Sequence, residues 1–211
     1  MAADHLLMPY ALACQFTYSG AMPTFEDPAQ LTHVYASQIE GRLCFSFEGT
    51  QATLEWLYRD LIVLNPETVA HPEFGAVHGG IAKGAWAVCD IFESYLNVAG
   101  NPPYALAGHS KGAGEAWLAA AEMKRRNRPP AFVAAFEGPH VGQQRLQEWC
   151  QDISGTETAT INSHGRDIVT QFPLDWPSVK EPRLMLPVPD AYSIGTKHRI
   201  AGVIDGLRGL P

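Results

Sequence analysis

Blocks of helical and strand periodicity alternate along this chain, and the alternation is the first guide to its fold. Leu6 to Tyr18 carries apolar residues at helical spacing, with Leu7, Ala11 and Cys14 or Phe16 turned inward. Thr32 to Gln38 and Leu43 to Phe47 read as strands joined by a turn at Glu40-Gly41. Thr53 to Leu64 is amphipathic, with Leu54, Leu57, Tyr58 and Leu61 on one side, and Asn65-Pro66 stops it. A longer helix is predicted from about Gly80 to Asn97. It places Ala82, Trp86, Cys89 and Phe92 or Glu93 at helical spacing, and Gly100-Asn101-Pro102-Pro103 closes it. Tyr104 to Ala107 is an apolar strand, and Ala113 to Arg126 a helix ended by Pro129-Pro130. Ala131 to Phe136 and Thr158 to Asn162 have strand length. Strands alternating with helices imply an α/β fold with a mainly parallel central sheet and helices on both faces. In such sheets the ligand site lies beyond the carboxyl ends of the strands.

One strand-to-helix join carries chemistry. Gly108-His109-Ser110-Lys111-Gly112 sits between the strand at Tyr104 and the helix at Ala113, the context that a G-x-S-x-G nucleophile elbow requires. Glycine is needed on either side because strand and helix approach closely there. Ser110 is therefore the candidate nucleophile, activated by a base that a third group orients. In this arrangement the partners follow in the order serine, acid, histidine. His140 precedes every carboxylate after the elbow helix except Glu137 and sits immediately after the strand ending at Phe136, so it fails on order. His164 could pair only with Glu148, Asp152 or Glu157, none in a clear turn after a strand. His198 lies after Asp167, Asp175 and Asp190 and satisfies the order. Asp167 has the best context, because Ser163 to Asp167 reads as the turn beyond the strand Thr158 to Asn162. Asp175 and Asp190 lie on irregular segments, where an aspartate commonly bonds its own backbone.

Composition adds limits. The 211 residues, 46% hydrophobic and 18% charged, suit one globular domain over 1–211. A net charge of −7 with no basic stripe beyond Lys124-Arg125-Arg126 and Arg128 argues against a nucleic-acid partner. That cluster is expected in the last turn of a helix, where cations oppose the dipole. No run of 18 apolar residues is present, so no transmembrane segment is predicted. Met1 to His5 lacks a Lys or Arg ahead of its apolar patch, which reads as no cleaved secretory leader. Cys14, Cys44, Cys89 and Cys150 are widely spaced and read as buried free thiols. His71, His78 and His109 are read as structural and not as metal ligands; no metal and no cofactor is expected.

The chain resembles the class 3, or fungal-type, lipases, which have the α/β-hydrolase fold. The resemblance is carried by the elbow Tyr104 to Gly112 and by four further blocks in order. Phe45 to Thr50, followed by Trp56-Leu57 and Asp60-Leu61, is similar to the oxyanion strand and lid. Val77 to Gly80 is similar to the H-x-G segment, Phe136 to Gly142 to the strand and turn after the elbow, and Asn162 to Pro173 to the acid-bearing loop. The resemblance implies Ser110 as nucleophile, Asp167 as acid, His198 as base, and Thr50 with Lys111 as oxyanion-hole donors. The residue after a nucleophile donates its backbone N–H in any such elbow, which supports Lys111 independently. Two positions depart from the family pattern: Glu48 stands where arginine is usual, and Lys111-Gly112-Ala113 replaces leucine and two glycines. Glu115, four residues after Lys111, is placed to offset its charge.

The activity implied is hydrolysis of carboxylic esters with an apolar side, acylglycerols included, with a small-molecule or lipid ester as partner and transient contact with a lipid interface. The same machinery would serve a feruloyl esterase or a phospholipase A1, and an inactive relative kept as a binding module is the alternative of a different class. Leu54, Trp56, Leu57 and Tyr58 are candidates for a mobile lid over residues 53–61; a helix fixed on the core has the same spacing. Pro173 to Lys197 matches no block and is a candidate lining for the acyl or leaving-group pocket.

Overall fold

The computed structural model describes residues 4–29, 31–50, 67–153, 157–162, 168–171, 175–179, 184–187 and 199–209. Its centre is a seven-stranded sheet of β1 (Phe25–Asp27), β2 (Thr32–Ile39), β3 (Arg42–Phe47), β6 (Tyr104–His109), β7 (Phe132–Phe136), β8 (Glu157–Asn162) and β9 (Leu184–Pro187), in that spatial order. β1, β2 and β3 pair antiparallel; β3, β6, β7, β8 and β9 run parallel. A separate antiparallel hairpin joins β4 (Thr68–His71) to β5 (Gly75–His78).

The two faces follow from the period of two along each strand. Phe45, Phe47, Leu106, Val133 and Ala135 enter one core, together with α2 (Gly79–Ala87), α3 (Cys89–Val98), α4 (Lys111–Arg125) and α5 (Gln144–Cys150). Cys44, Ala105, Ala107, Ala134 and Phe136 enter the other, under α1 (Asp4–Thr17) and α6 (Ile200–Arg208). Apolar residues facing both ways explain why β6 and β7 read as unbroken apolar runs. In the first core Phe45 and Phe92 stack at 4.4 Å between ring centres.

Several expectations hold in detail. The turn at Glu40-Gly41 has φ of 50° and 76°, the two positive values that a tight hairpin needs to match strand twist. On α1, Leu7, Ala11 and Cys14 are buried while Phe16 is exposed, which settles that pair. All four cysteines are buried thiols. The basic cluster closes α4: Arg125 and Arg126 bind Glu122, Arg126 also binds Asp90 at 2.5 Å, and Lys124 pairs with Asp152.

Other expectations change. The helix predicted over Gly80 to Asn97 is two helices that break at Val88 (φ −87°, ψ −12°). Ile81, Ala85, Cys89, Phe92 and Leu96 are all buried, and their spacing fits one unbroken helix, so periodicity does not reveal the break. Pro173 to Lys197 contributes β9, which pairs with β8 in parallel from Ala159↔Leu184 to Asn162↔Pro187. The helix expected over Thr53 to Leu64 lies outside the described residues. Among the described residues, no helix is long and apolar enough to cross a membrane.

Glu122 supplies a pH prediction. Burial works to raise its pKa, but hydrogen bonds and charge from Arg125 and Arg126 outweigh burial and hold it below the usual carboxylate range. A carboxylate depressed by folding supports the native state above its unfolded pKa and ceases to as pH falls through its folded value. Stability is therefore expected to drop below the ordinary glutamate range, and Glu122→Gln to flatten that drop in urea titrations at stepped pH.

Candidate functional site

Ser110 terminates β6 at the carboxyl edge of the sheet, where the chain reverses into α4. Its backbone lies at φ 58°, ψ −128°, a region that an L-residue occupies only when its surroundings impose it. Two contacts do so. Ser110 N–H donates to Phe136 O at 2.9 Å, and Ser110 O accepts from Ala113 N at 3.0 Å. The flanking glycines show why the join is so tight. A Cβ on Gly108 would overlap the Gly112 carbonyl and stand 2.6 Å from Ala113 N, so only glycine lets the helix start against its own strand. Gly112 is equally constrained, since a Cβ there would lie 2.5 Å from Phe47 O.

That last contact brings the loop after β3 beside the elbow. The β3–β6 ladder runs from Leu43↔Tyr104 to Phe47↔Gly108, and β6 ends one residue later at His109, so Gly49 and Thr50 continue past the elbow strand's end. A Cβ on Gly49 would stand 2.7 Å from His109 O. Half-buried Thr50 thus lies on a loop packed against the turn that carries Ser110, and Lys111 is the first residue of α4. These three predicted site residues are brought to one edge of the sheet. Asp167 and His198 lie outside the described residues, as do the alternatives His164 and Asp190 and the lid candidates Leu54, Trp56, Leu57 and Tyr58.

The remaining candidates stand elsewhere in the fold or have other partners. Asp175 is exposed, Asp152 pairs with Lys124, and Glu148 accepts from Gln144 Nε2 at 2.9 Å. His78 caps α2, its Nδ1 accepting from Ile81 N–H at 3.4 Å, and burial lowers its pKa. His109 bonds through Nδ1 to the Tyr18 hydroxyl at 2.8 Å, on the side of α1. His71 stacks on Phe74 at 3.6 Å. Among the described residues, no group of three His, Cys, Asp or Glu side chains could hold a metal ion.

Partners surround the two departures from the family pattern; the pairing of Lys111 with Glu115 is the one expected from their spacing, and the others escape the sequence reasoning. Glu48 is buried and its Oε2 accepts from His33 Nδ1 at 2.6 Å. Lys111 Nζ donates to Glu115 Oε1 at 2.6 Å and to Leu31 O at 3.0 Å, and Thr32 Oγ1 donates to the same Glu115 oxygen at 2.6 Å. Glu115 is fully buried; desolvation raises its pKa and Lys111 works against that rise. The hairpin turn held the missing signal for one of these pairs. A two-residue turn at Glu40-Gly41 pairs Ile39 with Arg42 and Val34 with Phe47, which sets His33 opposite Glu48. Tyr18 had no such signal, because its partner His109 is 91 residues away.

Comparison with known proteins agrees with this architecture. No curated protein matches the sequence at a significant level. Among solved structures, the lipase from Rhizopus microsporus var. chinensis superposes with a TM-score of 0.67 at 15% identity, over 96% of this chain and 86% of that one. A triacylglycerol lipase from Penicillium expansum gives 0.61 at 14%, over 92% and 81%. Rhizomucor miehei lipase in its propeptide complex gives 0.65 at 16%, over 82% of this chain, and the chain spans 65% of that one's length. At these identities the likeness establishes the α/β-hydrolase fold. The sequence model described as Lipase (class 3) matches residues 44–176, which is more than half of the chain, and the protein therefore belongs to the class 3 lipase family.

Proposed function

We propose that the protein is a serine ester hydrolase of the lipase type, acting on carboxylic esters with an apolar side and on acylglycerols among them. In this reading His198, oriented by Asp167, takes the Ser110 proton as the hydroxyl attacks the ester carbonyl. The N–H groups of Thr50 and Lys111 receive the negative charge that develops on the carbonyl oxygen. His198 then protonates the departing alcohol, and water repeats the sequence on the acyl-enzyme to release the acid. Every proton and bond in this sequence is accounted for by the triad side chains, the ester and water, with the two backbone N–H groups holding the charge. The observation that carries the proposal is the strained backbone of Ser110 at the end of β6, held by Phe136 O and made possible by Gly108. Strain of this kind persists where surrounding structure maintains it for a task.

A panel of p-nitrophenyl esters from acetyl to palmitoyl tests the proposal. Turnover with an optimum along the acyl series is expected, and absence of turnover on every ester would overturn it. The same assay assigns the base. His198→Ala and Asp167→Asn are expected to lower kcat by orders of magnitude, roughly 10⁴-fold for the acid, and His164→Ala by far less. A larger loss in His164→Ala, or in Asp175→Asn or Asp190→Asn than in Asp167→Asn, would move the assignment.

A further inference from the structure

Each candidate oxyanion donor comes from a different element, Thr50 from the loop after β3 and Lys111 from the start of α4. The β3–β6 ladder that joins these elements ends at Phe47↔Gly108, short of both. Donors must sit about 2.7–3.1 Å from the developing oxyanion, so their spacing needs support beyond the ladder's end.

One stretch of three residues touches both sides. His33 O accepts from Glu48 N–H at 3.0 Å, and His33 Nδ1 donates to Glu48 Oε2 at 2.6 Å, which ties down the loop leading to Thr50. Leu31 O accepts from Lys111 Nζ at 3.0 Å, and Thr32 Oγ1 donates to Glu115 Oε1 at 2.6 Å, which ties down the first turn of α4. Lys111 and Glu115 close the second set on themselves at 2.6 Å. Leu31 adopts φ 50°, a left-handed conformation unusual for leucine. Gly84 on α2 leaves room for the set, since a Cβ there would strike Thr32 Oγ1 and lie 2.9 Å from Glu115 Oε1. A carboxylate as deeply buried as Glu115 is tolerated only with such partners. The two departures from the family pattern, Glu48 and Lys111, are thus each matched by a partner, and both partner sets converge on residues 31–33.

We propose that Leu31-Thr32-His33 is a clamp that fixes the spacing of the Thr50 and Lys111 donors, with the side chains of Glu48, Lys111 and Glu115 as positioning groups. The proposal rests on the ester-hydrolase reading. The clamp acts on catalysis through geometry, because a displacement of about 1 Å in a catalytic group can cost on the order of 100-fold in rate.

The test uses Glu48→Gln, Lys111→Met and the double variant, with the backbone donors intact in all three. Steady-state kinetics on a soluble p-nitrophenyl ester are paired with the inhibition constant of a trifluoromethyl ketone, whose adduct with serine places an oxyanion in the hole. Each single variant is expected to lower kcat by about tenfold with KM little changed, and to weaken the ketone by the same factor. The double variant is expected to lose less than the product of the single losses, because both sides are held by one segment. Unchanged kcat and ketone affinity in folded variants would overturn the clamp, as would losses that multiply. If Lys111→Met does not fold, Thr32→Val removes one hydroxyl at constant shape and is expected to lower kcat and ketone affinity together. A wild-type protein with neither turnover nor ketone binding would defeat the ester-hydrolase reading itself, and the clamp with it. An active wild type with indifferent variants would defeat the clamp alone.

Discussion

Ser110→Ala is expected to abolish ester turnover while the protein still folds. The side chain is small, and its removal takes away the only atom that forms the acyl-enzyme bond in the proposed reaction. The backbone adds a second, less obvious outcome. At φ 58° and ψ −128° both serine and alanine are strained, whereas glycine is at ease. Such strain costs on the order of 1–3 kcal/mol, partly offset in a glycine variant by the greater freedom of its unfolded chain. Ser110→Gly is therefore expected to be inactive and more stable than the wild type by about 1 kcal/mol, read from urea denaturation. An inactive variant with lowered stability would mean that the elbow is not held against its own preference. Full activity in either variant would remove Ser110 from the reaction.

Gly108→Ala is expected to have the largest effect on stability. The added Cβ would overlap the Gly112 carbonyl and crowd Ala113 N at 2.6 Å, and both are backbone atoms fixed in the first turn of α4. No side chain can rotate away to relieve the clash. The strand and helix must separate, which disturbs the middle of the sheet and the largely buried α4 together. Overpacking in a core typically costs 1–3 kcal/mol, and a clash with rigid backbone belongs at or above the top of that range. Out of a total of roughly 5–15 kcal/mol, that loss would leave a protein that unfolds at low denaturant or accumulates insoluble. A Gly108→Ala variant within about 1 kcal/mol of the wild type would contradict the close-packed elbow.

How far the sequence discloses this molecule depends on whether a feature is local. The hairpin turn is legible because Glu40-Gly41 must supply two positive φ values, and the elbow because its glycines flank a serine between a strand and a helix. The break at Val88 is not legible, since the inward residues on either side keep one helical period. β9 is hidden by its prolines. Pro187 closes a short strand at the edge of the sheet, where a missing N–H disrupts no inner ladder, and the surrounding prolines mask the apolar run Leu184 to Leu186. β4 and β5 are four residues each, too short for alternation to stand out.

The candidate site divides the same way. Ser110 and Lys111 follow from one pentapeptide, and Thr50 from the family resemblance. The buried contacts that surround them link Thr32 to Glu115 and Tyr18 to His109 across 83 and 91 residues, and no local pattern encodes such pairs. Lys111 with Glu115 is the exception, because four residues on a helix bring two side chains together by geometry alone.

The most direct test of the central claim is covalent. Treating the folded wild-type protein with a fluorophosphonate and mapping the adduct by peptide mass spectrometry reads the activated serine itself, whatever the natural ester. One adduct per chain is expected, on Ser110, and Ser110→Ala is expected to take up none. A folded wild type that stays unlabelled, or an adduct on any other residue with Ser110 unmodified, would contradict the account.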